Sequence, residues 1–104
     1  MNIAKMMKQA QQMQAGMLAK QEELAAMDFE ASVGGGKVTV VANGSGDVKS
    51  VKIDPAVVDP EDVEFLEELV LKGVQEAVAK GKEATAAEMK KLTGGLGLPG
   101  MPGM

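Results

Sequence analysis

Two short segments contain the residue types that phosphate or metal chemistry requires. The first, Gly34-Gly35-Gly36-Lys37, has the glycines and the lysine of a phosphate-binding loop. Phosphate loops lead from a strand into a helix, whose N-terminus faces the anion. Here the lysine is followed by the alternating pattern Val38-Thr39-Val40, which is typical of a strand. A hairpin turn is therefore the favoured interpretation.

The second segment, residues 59–68, is acidic and contains no basic residue. Its acids are Asp59, Glu61, Asp62, Glu64, Glu67 and Glu68. Their spacing does not match a calcium-binding loop, so helix capping and a solvated helix face are favoured over a metal site. The chain also has no His and no Cys, which excludes imidazole and thiolate chemistry and leaves its serines without the usual general base. We predict that the protein is not an enzyme and needs no metal or cofactor.

Two long helical patterns flank a compact block of strands. The helices are predicted at Asn2–Met27 and Glu61–Leu92, and the strand block at Phe29–Asp54. At about 1.5 Å per residue the helices should measure roughly 38 and 48 Å, whereas strands of about seven residues span only about 23 Å. The helices must therefore extend beyond the sheet, and their apolar faces there need a partner that one chain does not supply.

The strand block predicts a three-stranded antiparallel meander, with strands at residues 29–33, 37–42 and 47–54. Asn43-Gly44 is a strong signal for a hairpin turn between the second and third strands. In the third strand Val51 and Ile53 are expected to face inward. Val48 is out of phase with them, so we expect a bulge near Lys49-Ser50.

Apolar residues in the first helix recur at alternating three- and four-residue steps, interrupted only by Lys20. They are Ile3, Met6, Ala10, Met13, Met17, Leu24 and Met27. We call this series the methionine seam; its period is typical of a helix packed along another helix. The facing positions of the second helix are predicted to be the small residues Gly73, Ala77, Gly81 and Ala84. A dimer or helix-packing seam is favoured over a single-chain core helix and over an adaptable peptide groove.

The second helix is predicted to begin at Asp59 as N-cap with Pro60 in the first turn, and to end at Thr93-Gly94-Gly95. Residues 1–93 are therefore expected to form one domain. Residues 94–104, rich in Gly, Pro and Met, are expected to be a disordered tail. The N-terminus lacks a signal-peptide pattern and no segment is apolar enough to span a membrane, so a cytoplasmic protein without membrane contact is expected.

The charge of −4 is unevenly distributed, and all eleven basic residues are Lys. Residues 1–20 carry Lys5, Lys8 and Lys20 with no acid, and residues 72–91 carry more Lys than Glu. The chain is thus acidic in its middle and mildly basic near its outer ends. A solvated surface kept for solubility would explain this pattern as well as a binding surface would.

Several segments resemble the YbaB/EbfC family of small bacterial nucleoid-associated proteins, and the similarity covers essentially the whole chain. They are residues 6–14, 36–40, 51–55, 66–70 and 98–102, together with Asn43-Gly44. The chain departs from the family at Gln75-Glu76-Ala77, where an Asn-Asp-Ala run is common, and in its lack of Arg.

The resemblance implies an α+β fold in the order α-β-β-β-α, assembled into a tweezer-like homodimer with projecting helical arms. It also implies DNA binding of low sequence specificity in the nucleoid. If the start of the first helix and the end of the second lie together, the phosphate-binding residues share one arm tip. These residues would be Lys5, Lys8, Lys82, Lys90 and Lys91, with Lys20 and Lys80 farther along.

The composition sets limits on this binding. Lysine neutralises phosphates, so affinity should fall as salt rises, whereas the absence of Arg removes the bidentate contact to guanine and predicts little base readout. A dimer would carry twice the chain's charge of −4, so DNA binding is expected to be weak. The alternative is a dimeric protein-interaction module, with an unknown protein partner and incidental DNA affinity.

Overall fold

A computed structural model describes residues 2–94 and has the predicted α-β-β-β-α order. Its elements are helix α1 (Ile3–Ala26), strands β1 (Asp28–Val33), β2 (Val38–Asn43) and β3 (Val48–Ile53), a 3₁₀ turn (Pro55–Val57) and helix α2 (Val63–Gly94). The α+β fold class is confirmed. The predicted tail, residues 94–104, lies outside the described residues except for Gly94.

The three strands form an antiparallel meander in the order β1-β2-β3. Val41 pairs with Ser50 and Ala42 pairs with Val48, so Lys49 is an extra residue in β3. This irregularity confirms the bulge predicted near Lys49-Ser50. Because paired residues share a face, the bulge returns Val48 to the same side of the sheet as Val51.

Helix α2 covers one face of the sheet, and the core lies between them. The buried residues of this core are Ala31, Val33, Val38, Val40, Ala42 and Ala77. A Cβ added at Gly73 would lie 2.9 Å from Val40 Cγ2, and one added at Gly81 would overlap the Asn43 carbonyl oxygen. Small residues therefore allow α2 to lie directly on the strands and on the β2–β3 turn.

This packing corrects the role predicted for three small residues of α2. Gly73, Ala77 and Gly81 contact the sheet and hairpin turn of their own chain and do not receive the methionine seam. Small side chains allow a helix to pack closely against a sheet as well as against another helix. The pattern of small residues alone therefore does not distinguish these two kinds of packing. Ala84 does face α1, in a groove with Leu24 and Met27.

The C-terminal end of α1 is fixed to the β2–β3 turn. The backbone N–H of Gly44 donates to the Leu24 carbonyl at 3.0 Å, and Thr85 Oγ1 donates to the Gly44 carbonyl at 2.7 Å. Leu24 is 3% exposed and is the one buried side chain of α1, whose residues are all described. One turn therefore ties both helices together.

Side-chain caps define where the helices begin. Asn2 caps α1, since its Oδ1 accepts from the Lys5 N–H at 3.0 Å. In α2 the cap is Asp62, which accepts from the Phe65 N–H at 3.4 Å, so the prediction of Asp59 is wrong. Asp59 instead accepts from the Glu61 N–H, and its carbonyl accepts from the Asp62 N–H, which forms a separate turn before the helix.

Strand β3 is less covered than its sequence predicts. Val51 and Ile53 pair with Val40 and Val38 and so point to the α2 side of the sheet, yet they are 41% and 39% exposed. The prediction that these side chains face inward is confirmed in orientation, although the single chain leaves both of them exposed. Because α2 lies over β1 and β2, it leaves the helix-side face of β3 open.

The Asp54 carboxylate gives an acid-dependent contribution to stability. It accepts from the Ala56 N–H at 2.9 Å and from Lys37 Nζ at 3.4 Å, and these contacts lower its pKa below the ordinary 3.8. A lowered pKa stabilises the folded chain above the ordinary value, and this stabilisation is lost as pH falls through the folded pKa. We therefore expect the stability difference between the wild type and Asp54→Asn to shrink from about pH 5 to about pH 2. Urea unfolding across this range measures it, and a constant difference would contradict the assignment.

Candidate nucleic-acid interface

The two helices run antiparallel, and the molecule is strongly elongated. Its principal extents are 72 × 25 × 16 Å. Near the hairpin turn, Leu24 and Met27 face Ala84, whereas Lys20, one turn earlier in α1, lies beside Glu88 and Lys91. Residues nearer the N-terminus of α1 therefore lie beside residues nearer the C-terminus of α2.

The first part of α1 extends past the described end of α2. From Lys20 back to Lys5 the helix is about 22 Å long, whereas from Lys91 forward to Gly94 α2 continues for only about 4.5 Å. All side chains from residue 2 to residue 12 are exposed. We call residues 3–12 the α1 arm. The described part of α2 does not accompany it.

This offset separates lysines that were expected to share one surface. Lys5 and Lys8 lie on the α1 arm, roughly 14–18 Å beyond Gly94 along the helix axis. Lys90 and Lys91 lie in the last turns of α2, and Lys91 Nζ is 3.8 Å from Glu88. Within one chain, the described residues therefore do not bring these lysines to a single arm tip. The offset follows from the attachment of Leu24 to the hairpin turn, which fixes how far α1 is displaced along α2.

Two other predicted lysines lie back at the sheet. Lys80 Nζ donates to the Glu30 carbonyl at 2.7 Å. The side chain of Lys82 packs against Gly46 of the β2–β3 turn, where an added Cβ would lie 2.6 Å from Lys82 Cε. Both side chains contact the sheet region and neither lies on the α1 arm.

Lys20 lies at the edge of an open groove between α1 and α2. The groove has a volume of about 290 Å³ and an apolar floor of Leu24, Met27, Phe29, Ala84 and Ala87. Lys20 Nζ lies 3.0 Å from Glu23, and this hydrogen-bonded ion pair, with Glu88 nearby, raises the Lys20 pKa. The ammonium is thus charged at neutral pH but already paired.

The methionine seam is only partly covered. Met13 and Met17 are half-buried, whereas Met6 is 57% and Ile3 is 65% exposed. The coverage decreases along α1 toward its N-terminus, as expected from the offset between the helices. The seam on the α1 arm is an uncovered apolar surface.

The acidic segment lies at the opposite end of the long axis from the α1 arm. Its acids precede α2 or lie in its first two turns, and α2 is about 48 Å long. The α1 arm begins beyond the other end of α2. A polyanion at the arm would therefore be remote from the acids.

Residues 2–94 contain neither a cluster of metal ligands nor a membrane-spanning helix. Within residues 2–94, no group of three or more Asp or Glu residues is arranged to hold a metal ion. No helix in this range is long and apolar enough to cross a membrane.

Comparison with known proteins decides the family. The sequence model of the YbaB/EbfC DNA-binding family matches residues 1–96. The chain belongs to this family. A nucleoid-associated protein of Akkermansia muciniphila is 57% identical over 100% of this chain and 98% of its own length. A nucleoid-associated protein of Clostridium novyi is 54% identical over 97% of this chain and 89% of its own.

A solved structure supports the fold of this YbaB/EbfC member. The crystal structure of an uncharacterized protein from Helicobacter pylori has a TM-score of 0.68. It covers 92% of this chain and 97% of its own, at 21% identity. This similarity concerns the fold alone.

Two surfaces of this YbaB/EbfC chain were not recognised in the sequence. One is the open face of β3, where the out-of-phase Val48 was the available signal. The other is a polar face of the α1 arm, which carries Gln9 and Gln12 beside Lys5 and Lys8. Its signal is the helical spacing of these residues within an acid-free segment.

Proposed function

We propose that this chain is a nucleoid-associated DNA-binding protein that contacts the phosphate backbone through the α1 arm. The observation that carries the proposal is the position of Lys5 and Lys8 on the exposed, acid-free α1 arm, beyond the described end of α2. Membership of a DNA-binding family and relatives named nucleoid-associated proteins support it. The same names support the proposed location at the nucleoid, in the cytoplasm.

The electrostatics of the α1 arm suit a weak, salt-sensitive contact. Each lysine that neutralises a phosphate releases a counterion, so affinity falls as salt rises. A second set near the base of the arm consists of Lys20, Lys90 and Lys91, whereas Lys80 and Lys82 contribute at longer range. Because the six acids of residues 59–68 lie at the far end of α2, this acidic segment is remote from DNA at the arm.

We further propose that the chain works as a homodimer joined at the open face of β3. Val48, Val51 and Ile53 form an apolar row on this edge strand, 42%, 41% and 39% exposed. Helical spacing places Val74 and Val78 on the flank of α2 opposite Lys80, which reaches β1, so this flank faces β3. A second copy would cover this row and the free strand edge together. The dimer would then carry two α1 arms.

A fluorescence-anisotropy titration of the full chain with a mixed-sequence duplex tests the DNA contact. At about 50 mM salt we expect binding, and at about 200 mM a large loss of affinity. Lys5→Gln with Lys8→Gln should reduce the slope of log affinity against log salt by about 2 per chain. The control, Lys52→Gln with Lys72→Gln, makes the same charge change away from the arm and should leave the slope unchanged. Equal slopes for the wild type and the arm variant would overturn the assignment.

The uncovered seam on the α1 arm favours a second candidate, a dimeric protein-interaction module. Ile3 and Met6 of the seam, and the neighbouring Met7, are all more than half exposed, which suits an apolar partner surface. In this case DNA affinity would be incidental. Failure of the wild type to bind duplex DNA at about 50 mM salt would favour this module over the DNA-binding function.

A further inference from the structure

One face of the α1 arm carries a continuous polar row. At about 100° per residue, Lys5, Lys8, Gln9 and Gln12 fall within about a third of the helix circumference. All four side chains are exposed. Gly16 continues the same face, and an added Cβ there would meet nothing within 4 Å. The methionine seam is centred roughly a third of a turn away, so the row is separate from it.

The side chains in this row differ in what they can recognise in DNA. The lysine ammonium groups match phosphate oxygens, which carry no sequence information. A glutamine amide has one acceptor oxygen and one NH₂ donor, and this pair matches the N6 donor and N7 acceptor of adenine in the major groove. Lysines beside glutamines on one helix face thus combine a positioning contact with a base contact.

The dimensions of the α1 arm fit the major groove. A helix with its side chains is about 10–12 Å across, and the groove is about 12 Å wide. Gln9 and Gln12 are about 4.5 Å apart along the axis, comparable to a base-pair rise of about 3.4 Å. Because the described part of α2 ends before the arm begins, it does not stand beside the arm to block the groove.

We propose that the α1 arm lies in the DNA major groove, with Gln9 and Gln12 contacting adenine while Lys5 and Lys8 contact phosphates. The inference rests on the proposed DNA-binding function and adds a preference for A·T base pairs. It departs from the expectation of little base readout, which considered only the arginine–guanine contact. Glutamine supplies the corresponding contact to adenine.

The test uses the full-length protein and three duplexes of equal length in fluorescence-anisotropy titrations. One has a central A·T tract, one a G·C tract, and one the A·T tract with 7-deazaadenine, which lacks the N7 acceptor. We expect the A·T duplex to bind about tenfold tighter than the G·C duplex. The 7-deazaadenine duplex should lose most of this advantage, because it lacks the N7 acceptor. Its minor groove and phosphates are unchanged, so the loss would be assigned to the major groove.

Matched variants test whether the A·T preference comes from Gln9 and Gln12 in the polar row. Gln9→Ala with Gln12→Ala should bind the A·T and G·C duplexes equally, at the affinity of the wild type for G·C. Gln11→Ala with Gln14→Ala removes two glutamines from other faces of the same helix and should keep the preference. Alanine favours helix, so both double variants should retain the wild-type circular dichroism spectrum.

The outcomes separate this inference from the proposed function. Absence of binding to all three duplexes at low salt would overturn the proposed function itself. Binding without an A·T preference would overturn only the inference. An A·T preference that survives 7-deazaadenine, or that persists in the Gln9 and Gln12 variant, would also overturn it, because the contact would then lie outside the major-groove edge of adenine.

Discussion

Replacing Gly81 by alanine is expected to lower the free energy of unfolding by about 2 kcal/mol. Overpacking costs typically about 1–3 kcal/mol, and the gain in helix propensity returns only about 1 kcal/mol. We expect an overpacking cost near the upper end of its range, because the added methyl group would overlap the Asn43 carbonyl oxygen and lie against Gly44. These are backbone atoms, so no flexible side chain can move aside, and α2 must shift away from the hairpin turn.

Chemical denaturation followed by circular dichroism measures this loss, and Gly16→Ala is the matched control. Gly16 is also helical, yet an added Cβ there meets nothing within 4 Å. The control should therefore gain about 0.5–1 kcal/mol, since alanine is the better helix former. If Gly81→Ala were as stable as Gly16→Ala, the close contact between α2 and the hairpin turn would be refuted.

Replacing Val51 by lysine is expected to convert the proposed dimer to a monomer. The dimer would bury only the 41% of Val51 that is exposed in the single chain. Losing this burial removes about 0.6–1.2 kcal/mol, and a two-fold interface loses it twice. The lysine would also bring an unpaired charge into the contact, so the dimer dissociation constant should rise at least about hundredfold. Each chain should still fold, because Val51 is already 41% exposed in the single chain.

Size-exclusion chromatography with light scattering measures the oligomeric state, and Ser50→Lys is the matched control. Ser50 is the neighbouring residue of β3, and its side chain points to the other face of the sheet. The Ser50→Lys variant makes the same change in charge on the same strand, and this variant should remain a dimer. A Val51→Lys variant that stays dimeric would place the interface elsewhere.

The order of elements and the local turns were predictable because their signals are local. Asn43-Gly44 specifies a hairpin turn by its backbone preferences, and the phase of Val48 against Val51 required an extra residue between them. The displacement of α1 along α2 was not predictable. It depends on a hydrogen bond between Gly44 and the Leu24 carbonyl, which leaves no mark in side-chain patterns.

The candidate interface was predictable in its residue types but not in its arrangement. The sequence shows that Lys5 and Lys8 lie in a segment without acidic residues. Their separation from Lys90 and Lys91 follows from the offset between the two helices, which the sequence does not show. Gly73 and Gly81 were assigned to the wrong neighbour for a related reason. A small residue indicates that something approaches closely, but it does not indicate which element approaches.

The attachment of α1 at the hairpin turn also makes the rest of the helix a lever. From Leu24 to Lys5 the helix is about 28 Å long, so a tilt of about 10° at the attachment moves Lys5 by about 5 Å. Such a displacement exceeds one base-pair step, which is about 3.4 Å. In the proposed complex, small angular adjustments near Leu24 would therefore be enough to fit the arm to duplexes of different groove width and curvature, without repacking the core.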